Sequence, residues 1–265
     1  MKLGIHSDLH TEYSLCEISN LEELDVLVLA GDIGDLHTTA IFLEQTRKVA
    51  KNLPVLYVLG NHEYYGMHYP DAQEDYRKLC KKYEVTLLEN ETCQIGDILF
   101  LGATLWTDFQ LAGQQKESMK WAGYAVNDFQ KIYCHQKTSD DLCFTPEMAC
   151  AEFKKTYDFL LAQLKEAKKK GLRTAVISHF LPATELIAPQ FLQKSSSLMI
   201  AAYWVSDLSE LFSYVDYWIY GHSHTNIETC PKNANTRFLC NQRGYSKTFN
   251  LFEASGYKHD YVITI

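Results

Sequence analysis

Short apolar runs alternate with longer amphipathic segments through the first third of the chain. The runs Lys2–Ile5, Val26–Ala30 and Val55–Leu59 have the length of strands and are almost wholly apolar, which is typical of strands buried on both faces of a sheet. Thr38–Leu53 and Asp71–Tyr83 have the spacing of helices, and in the second of these the apolar side chains recur at i, i+3, i+4 and i+7. This rhythm predicts parallel strands joined by right-handed crossovers.

The rhythm changes in the middle of the chain. Strand-like runs follow one another with short turns, and Gly96-Asp97 is typical of a hairpin. The polar and aromatic stretch 107–144 has no regular period, and we expect it to lie over one end of a sheet. Thr145-Pro146-Glu147 has the composition of a helix start and Lys168-Lys169-Lys170-Gly171 that of a helix end. The later strand-like runs are Val85–Leu88, Thr92–Ile95, Ile98–Leu101, Thr174–Ser178, Asp216–Tyr220, Thr236–Cys240 and Tyr261–Ile265.

Composition and charge are those of a globular chain. Of the 265 residues, 46% are hydrophobic, and 25 Lys and Arg against 33 Asp and Glu leave a formal net charge of −8. A chain of this length buries enough surface to be stable without disulfides. The acidic excess argues against an extended nucleic-acid partner, because surfaces that follow a phosphate backbone are basic. Since no repeat or linker divides it, we expect one α/β domain over residues 1–265, with two sheets face to face and helices outside.

Localisation signals and cysteine spacing add little chemistry. No apolar run is long enough to cross a bilayer, and Leu3-Gly4-Ile5 is too short for the core of a signal peptide. The eight cysteines are scattered without a C-x-x-C pair, which favours reduced, mostly buried thiols over disulfides or a thiolate zinc site. We therefore expect a cytoplasmic protein with no membrane partner. The oligomeric state cannot be predicted from the sequence.

Five polar clusters follow directly on strand-like runs. They are Asp8-Leu9-His10, Gly31–Asp35, Gly60–Glu63, Ser178-His179 and Gly221–His224. Ligands of open α/β sheets bind beyond the carboxyl ends of the strands, which is where each cluster falls. In the first and last clusters two potential ligands stand at i and i+2, a spacing that puts both on one side of an extended chain. One such cluster alone is more often structural, but five in succession indicate a functional site.

These clusters resemble, in order, the motifs D-x-H, G-D, G-N-H-[DE], H and G-H-x-H of the calcineurin-like metallophosphoesterase superfamily, across residues 8–224. The resemblance implies the calcineurin-like phosphoesterase fold, an α/β/β/α four-layer sandwich of two facing mixed β-sheets flanked by helices. It implies two metal ions with seven protein ligands: Asp8, His10 and His224 on one ion, Asn61, His179 and His222 on the other, and Asp32 bridging both. It makes His62 the proton donor to the leaving oxygen and not a ligand.

Nitrogen and oxygen ligands of this kind suit manganese or iron best, in divalent or trivalent form, with zinc, nickel or cobalt as alternatives. The resemblance implies a hydrolase of phosphate mono- or diesters that acts on a small phosphorylated substrate. Two metals can hold a hydroxide between them and clamp phosphoryl oxygens for in-line attack, so that Asp32 and His62 both serve catalysis. A histidine suits proton donation because its ordinary pKa lies near neutrality.

Departures from the family pattern narrow the branch. The segment after Asp32 lacks the arginine that marks the protein-phosphatase branch, which argues against a Ser/Thr protein phosphatase. Phe180 stands where similar bacterial members often carry a second histidine. The chain is most similar to a bacterial branch with the motifs S-D-L-H, G-N-H-E-Y-Y-G, G-A-T-L-W-T-D-F and R-G-Y. These stand here at Ser7–His10, Gly60–Gly66, Gly102–Phe109 and Arg243–Tyr245.

Several roles stay open at the level of sequence. Asp35 and Glu63 either orient neighbouring ligands or are solvated turn carboxylates. Arg243 either clamps a phosphate oxygen or packs in the wall of the cleft, and Tyr245 is a wall candidate of the same kind. Residues 107–150 are a candidate cap over the site. Further wall candidates are Tyr64, Tyr65, Trp106 and Asp108, and the histidines without an assigned role are His6, His37, His68, His135 and His259.

The sequence leaves two other functions open. The alternative to the enzyme is a non-catalytic metal-binding interaction module that retains the phosphoesterase fold. Such modules typically lose ligands or the catalytic histidine, and here all of these residues are present. A nuclease is a third possibility, which the net charge of −8 disfavours.

Overall fold

The computed structural model describes residues 1–134, 142–192, 195–230, 235–245 and 256–265. Its helices are α1 (Leu36–Val49), α2 (Asp71–Lys82), α3 (Gln115–Ala125), α4 (Asp128–Lys131), α5 (Pro146–Lys169) and α6 (Ser195–Ala201). Its strands are β1 (Lys2–His6), β2 (Val26–Ala30), β3 (Val55–Val58), β4 (His68–Tyr69), β5 (Thr86–Leu87), β6 (Glu91–Ile95), β7 (Ile98–Ala103), β8 (Tyr133–Cys134), β9 (Leu142–Cys143), β10 (Arg173–Ser178), β11 (Tyr217–Ile219), β12 (Arg237–Leu239) and β13 (Ile263–Thr264).

Two five-stranded sheets form the centre of the molecule. The first has the order β13-β1-β2-β3-β5 and the second β12-β11-β10-β7-β6. In the first sheet β13 is antiparallel to β1 and the other pairs are parallel. In the second, β6 and β7 form the predicted antiparallel hairpin, and the other pairs are parallel. The prediction of an α/β fold with mixed sheets is confirmed.

The two sheets pack against each other through a continuous apolar layer. Ile5 and Val28 of the first sheet belong to one buried cluster with Phe100, Ile177 and Ile219 of the second. The helices contribute to a larger buried cluster that also contains the outward-facing strand residues. Because both faces of the sheets are covered, β2 is buried at every position, as the apolar run predicts. This is the expected four-layer arrangement.

The ends of the helices follow local capping chemistry. Helix α1 begins at Leu36, earlier than the predicted Thr38, because the side chain of Asp35 accepts a hydrogen bond from the backbone N–H of Thr38 at 2.8 Å. Helix α5 begins after Thr145, whose side chain accepts from Met148, and Gly171 follows its end at a φ of +65°. Both ends of α5 were predicted from the sequence.

The middle segment differs from its prediction. Residues 107–134 contain α3 and α4, and β8 pairs with β4 on one side and with β9 on the other in a small third sheet, where the sequence indicated irregular structure. Residues 135–141, which include His135, lie outside the described residues. All eight cysteines are free thiols, of which four are buried, three half-buried and one exposed. No helix among the described residues is long and apolar enough to span a membrane.

Candidate metal centre

The structure brings the predicted ligands together at the carboxyl ends of five parallel strands, drawn from both sheets. The sheets present these ends on one side of the molecule, as parallel pairing requires. Strand ends and glycine turns, two short-range features of the chain, therefore bring residues that are distant in sequence close together in space. Asp8 and His10 follow β1, Asp32 follows β2, Asn61 follows β3, His179 follows β10, and His222 and His224 follow β11.

The backbone of these strand ends is in an unusual conformation. Asp8, His10, Asp32, His222 and His224 have positive φ values between 47° and 73°. They are five of the ten non-glycine residues with positive φ in the described part of the chain. Such a conformation costs about 1–3 kcal/mol per residue and is found mostly where the surroundings or a ligand enforce it. The strain coincides with the predicted ligands, which indicates a functional origin.

Two glycines allow the strand ends to approach closely. A Cβ on Gly31, whose φ is +86°, would lie 2.4 Å from Nδ1 of His179. A Cβ on Gly60 would lie 2.2 Å from Oδ1 of Asp32. Neither position has room for any side chain, so the two glycines are required by the packing of the ligands themselves.

The first group of ligands consists of Asp8, His10 and His224. Nε2 of His224 lies 3.0 Å from Nε2 of His10 and 3.4 Å from Oδ1 of Asp8. All three potential ligand atoms lie within 4.8 Å of one another. Two imidazole nitrogens and a carboxylate that face each other this closely need a shared proton or cation. The set fits a metal ion that prefers nitrogen and oxygen ligands.

The second group contains His179, His222, Asp32 and Asn61. Nε2 of His179 lies 3.1 Å from Oδ1 of Asn61, 3.2 Å from Nδ1 of His222 and 3.4 Å from Oδ2 of Asp32. Nδ1 of His179 lies 3.0 Å from the carbonyl of Ala30, and donation there directs the Nε2 lone pair into the group. Nε2 of His222 is buried without a hydrogen-bond partner among the described residues, which an incoming ligand would remedy.

Asp32 lies between the two groups. Its Oδ2 is 3.4 Å from Nε2 of His179 and 3.8 Å from Nε2 of His10, while its Oδ1 accepts the backbone N–H of His62 at 2.9 Å. The side chain of His62 is also near enough to form a third potential ligand group with His10 and Asp32. Oδ2 of Asp32 thus lies near an imidazole nitrogen of each group.

The charges of the site compensate one another. Burial alone would raise the pKa of Asp32, but the imidazoles of His179 and His62 hold it well below its ordinary value. Burial would lower the pKa of His179, but the carboxylate of Asp32 raises it to about 9. Burial and the charge on His179 keep the pKa of His222 well below its ordinary value. A proton on His179 therefore balances Asp32, and a cation that binds there would compete with that proton.

Glu12 is a residue of the site that the sequence analysis missed. Its Oε1 lies 3.0 Å from Nδ1 of His10 and 3.1 Å from Nδ1 of His62. Burial would raise the pKa of Glu12, but hydrogen bonds from the two imidazoles lower it to about 2. The other nitrogen of His62, Nε2, lies 3.1 Å from the hydroxyl of Tyr245. The position of Glu12 two residues after His10 was the available signal.

Asp128 is a second residue that the sequence analysis missed. Its Oδ1 accepts hydrogen bonds from Nδ2 of Asn61 at 2.9 Å and from the hydroxyl of Tyr65 at 2.7 Å, and its Oδ2 accepts a short one from the hydroxyl of Tyr203. Burial raises the pKa of Asp128, although the three donors oppose this shift. No local pattern pointed to it, because its partner Asn61 is 67 positions away.

The two acids left open by the sequence have different surroundings. Glu63 is buried, and its carboxylate accepts the backbone N–H groups of Asp32, Ile33 and Gly60 at 2.7–3.0 Å. Burial and the charge of Asp32 raise the pKa of Glu63 to about 7. It therefore ties the ends of β2 and β3 together and is not a solvated turn residue. Asp35 is exposed and caps α1, away from the ligand groups.

The side chain of Arg243 forms hydrogen bonds with the backbone. Its guanidinium donates to the carbonyls of Leu9 and Ser14 at 2.7 and 2.9 Å, which holds the chain after β1 in place. Of its two predicted roles, the structure therefore favours packing over a phosphate clamp. Phe180 lies against His222, with ring centroids 4.1 Å apart. The aromatic ring of Phe180 thus packs directly on a predicted ligand.

A cavity of about 630 Å³ opens beside the ligand groups. Of the predicted wall candidates, Tyr65 and Tyr245 line it, whereas Tyr64 and Trp106 are buried in the core. Among the described residues of the candidate cap, 126–128 reach the cavity. Its polar lining includes Asp32, Asn61, His62, His222 and His224, and its apolar lining includes Val126, Leu181, Ile187, Ala188, Phe191 and Trp204.

Comparisons with known proteins agree with this arrangement. A family model described as calcineurin-like phosphoesterase matches residues 1–226, a range that contains all seven predicted ligands. An uncharacterized protein of Acanthamoeba polyphaga mimivirus is 26% identical over 279 residues, covering 95% of this chain and 94% of that protein.

Two solved structures also match this chain, the first of them with a similar fold. Phosphopantetheinyl hydrolase from Mycobacterium tuberculosis has a TM-score of 0.68 and 17% identity, covering 96% of this chain and 93% of that one. A dimetal phosphatase from Danio rerio has a TM-score of 0.48 and 14% identity, covering 91% of this chain and 86% of that one.

Proposed function

The chain belongs to the calcineurin-like phosphoesterase family, and from this premise we propose that it hydrolyses phosphate mono- or diesters with the help of two bound metal ions. The observation that carries the proposal is the convergence of nitrogen and oxygen ligands in two groups that meet at Asp32. Buried titratable side chains in strained backbone conformations are costly, and a cluster of them at strand ends is typical of a functional site.

In this proposal Asp8, His10 and His224 hold one ion. The other ion is held by Asn61, His179 and His222, and Asp32 contacts both. When bound there, two such ions would supply positive charge that neutralises phosphoryl oxygens and lowers the pKa of water. Manganese and iron remain the predicted metals for this ligand set, ahead of zinc, nickel and cobalt.

His62 is the proposed proton donor to the leaving oxygen. Glu12 accepts from Nδ1 of His62, which fixes the orientation of the ring and leaves Nε2 facing the cavity near the hydroxyl of Tyr245. A proton on Nε2 can pass to the ester oxygen as its bond to phosphorus breaks. The ring of Tyr65 stacks on His62 with centroids 4.3 Å apart and limits its rotation.

The proposed substrate is small. The cavity of about 630 Å³ is in the range that holds one small organic molecule. The acidic net charge favours such a substrate over extended nucleic acid. A cytoplasmic location without a membrane partner stays part of the proposal.

The test compares metal content and hydrolysis in matched variants. With added Mn²⁺, wild type is expected to bind two ions by elemental analysis and to hydrolyse p-nitrophenyl phosphate or bis(p-nitrophenyl) phosphate. Asp32→Asn should lose metal and activity together, whereas His62→Asn should keep both ions and lose at least 100-fold in kcat, the usual effect of removing a general acid. His37→Asn changes an exposed histidine outside the site and serves as the control.

Equal activity in all four proteins would refute the mechanism. Two bound ions without hydrolysis of any ester in a broad panel, including a phosphopantetheinyl ester, would instead favour the non-catalytic interaction module.

A further inference from the structure

The cavity beside the metal centre has one apolar wall. The wall consists of Val126, Leu181, Ile187, Phe191 and Trp204, together with the small side chain of Ala188. The rings of Phe191 and Trp204 meet edge to face, with centroids 5.3 Å apart. Phe191 is 42% exposed, and exposure of a large apolar ring to water is unfavourable. An apolar ligand that covers the ring would remove this surface from water.

The wall is built into the same framework as the proposed ligands. Leu181 stands two residues after His179, and its backbone N–H donates to the carbonyl of Trp204 at 3.1 Å. The residue before Trp204 is Tyr203, whose hydroxyl donates to the buried carboxylate of Asp128. The apolar wall is therefore held at a set position relative to the metal ligands.

Asp128 adds a second connection. Its carboxylate accepts from both Tyr203 and Asn61, so one buried side chain joins the wall to a proposed ligand. Val126, two residues before Asp128, lines the cavity from this side. A molecule whose phosphoryl group lies at the ligand groups thus has its substituent next to apolar side chains.

We propose that this wall binds an uncharged alkyl or aryl group of the substrate, so that the esters used by this site carry an apolar substituent near phosphorus. The inference rests on the proposed function, because it concerns the same cavity. An apolar group on the wall removes apolar surface from water, whereas a charged or strongly polar group there would lose its hydration without regaining hydrogen bonds.

The first experiment measures binding and needs no turnover. Calorimetry of the Mn²⁺-loaded protein with alkylphosphonates from methyl to hexyl is expected to show Kd falling about two- to four-fold per methylene. Phe191→Ala and Trp204→Ala should each lower the affinity for hexylphosphonate about ten-fold and leave the affinity for methylphosphonate unchanged. Tyr124→Ala, at a 78% exposed aromatic residue outside the cavity lining, is the matched control.

The second experiment follows hydrolysis of two series with the same chain lengths. Alkyl p-nitrophenyl phosphates report diester cleavage, and alkyl monophosphates report monoester cleavage through released phosphate. We expect the dependence on chain length to appear in KM more than in kcat. Because Phe191 is exposed, its replacement tests the wall even if Trp204→Ala fails to fold.

The outcomes separate the two proposals. Hydrolysis or phosphonate binding that does not change with chain length would overturn the apolar subsite and leave the phosphoesterase proposal standing. A length-dependent Kd without hydrolysis of any ester would support the subsite and overturn the proposed function. Equal loss in Tyr124→Ala and the two wall variants would also overturn the subsite.

Discussion

Replacing Asp128 by alanine should weaken the binding of one metal ion and leave the binding of the other unchanged. An asparagine amide has an oxygen end and a nitrogen end, and donation from Nδ2 of Asn61 to Asp128 at 2.9 Å directs its Oδ1 toward Nε2 of His179, 3.1 Å away. Without the carboxylate, the nitrogen end keeps only a 3.3 Å contact with the hydroxyl of Tyr65. The amide can then turn its nitrogen toward the metal, and a metal cannot bind it there.

The size of the effect follows from the bond that is lost. A hydrogen bond to a charged acceptor contributes about 1.5–3 kcal/mol. At about 1.4 kcal/mol per factor of ten, the affinity of the ion proposed to bind Asn61, His179 and His222 should fall about 10- to 150-fold. This agrees with the roughly 10- to 100-fold loss that follows removal of a residue behind a metal ligand. The ion held by Asp8 and its partners should be unaffected.

The assay is calorimetric titration of the apo protein with Mn²⁺, fitted with two sites. Asp128→Asn should lose less affinity than Asp128→Ala, because its amide oxygen can still accept from Asn61 although the acceptor is no longer charged. Asp108→Ala is the matched control, since Asp108 lies, like Asp128, within residues 107–134 and accepts hydrogen bonds from Gln110 and Ser206. Unchanged affinity in Asp128→Ala, or an equal loss at both sites, would contradict the proposed positioning of Asn61.

Two further predictions concern residues around the site. Gly31→Ala should abolish metal binding, since its Cβ would lie 2.4 Å from Nδ1 of His179. The control is Gly66→Ala, at a similar φ of +74° but with no atom within 4 Å of the added Cβ, which should bind metal normally and lose only about 1 kcal/mol of stability. Equal metal content in the two variants would contradict this prediction. Burial raises the pKa of Glu89 to about 7, so the folded protein binds this proton more tightly than the unfolded chain. Stability should therefore fall as the pH rises from about 4.5 to 7, by about 3 kcal/mol from this group. In urea denaturation, the free energy of unfolding of Glu89→Gln should rise relative to that of wild type over that pH interval. A difference between the two proteins that does not change with pH would refute the prediction.

Local pattern was sufficient for most of the elements. Continuous apolar runs such as β2 are strands because a sheet covered on both faces buries every position. Thr145 and Gly171 mark the ends of α5 because capping depends on neighbouring residues alone. Helices α3 and α4 were missed, since their few buried residues do not form a regular apolar stripe.

The sequence by itself determined the order of the strands' polar clusters and the residue types in them, because motif spacing and strand ends are properties of short segments. Only the tertiary structure decided which side chains meet. Glu12 contacts His62 from 50 positions away and Asp128 contacts Asn61 from 67, while Arg243, a candidate for phosphate binding, bonds to the backbone instead. Hydrogen bonds between distant segments depend on how the two sheets and the segments around them pack in space, and packing leaves no local pattern along the chain.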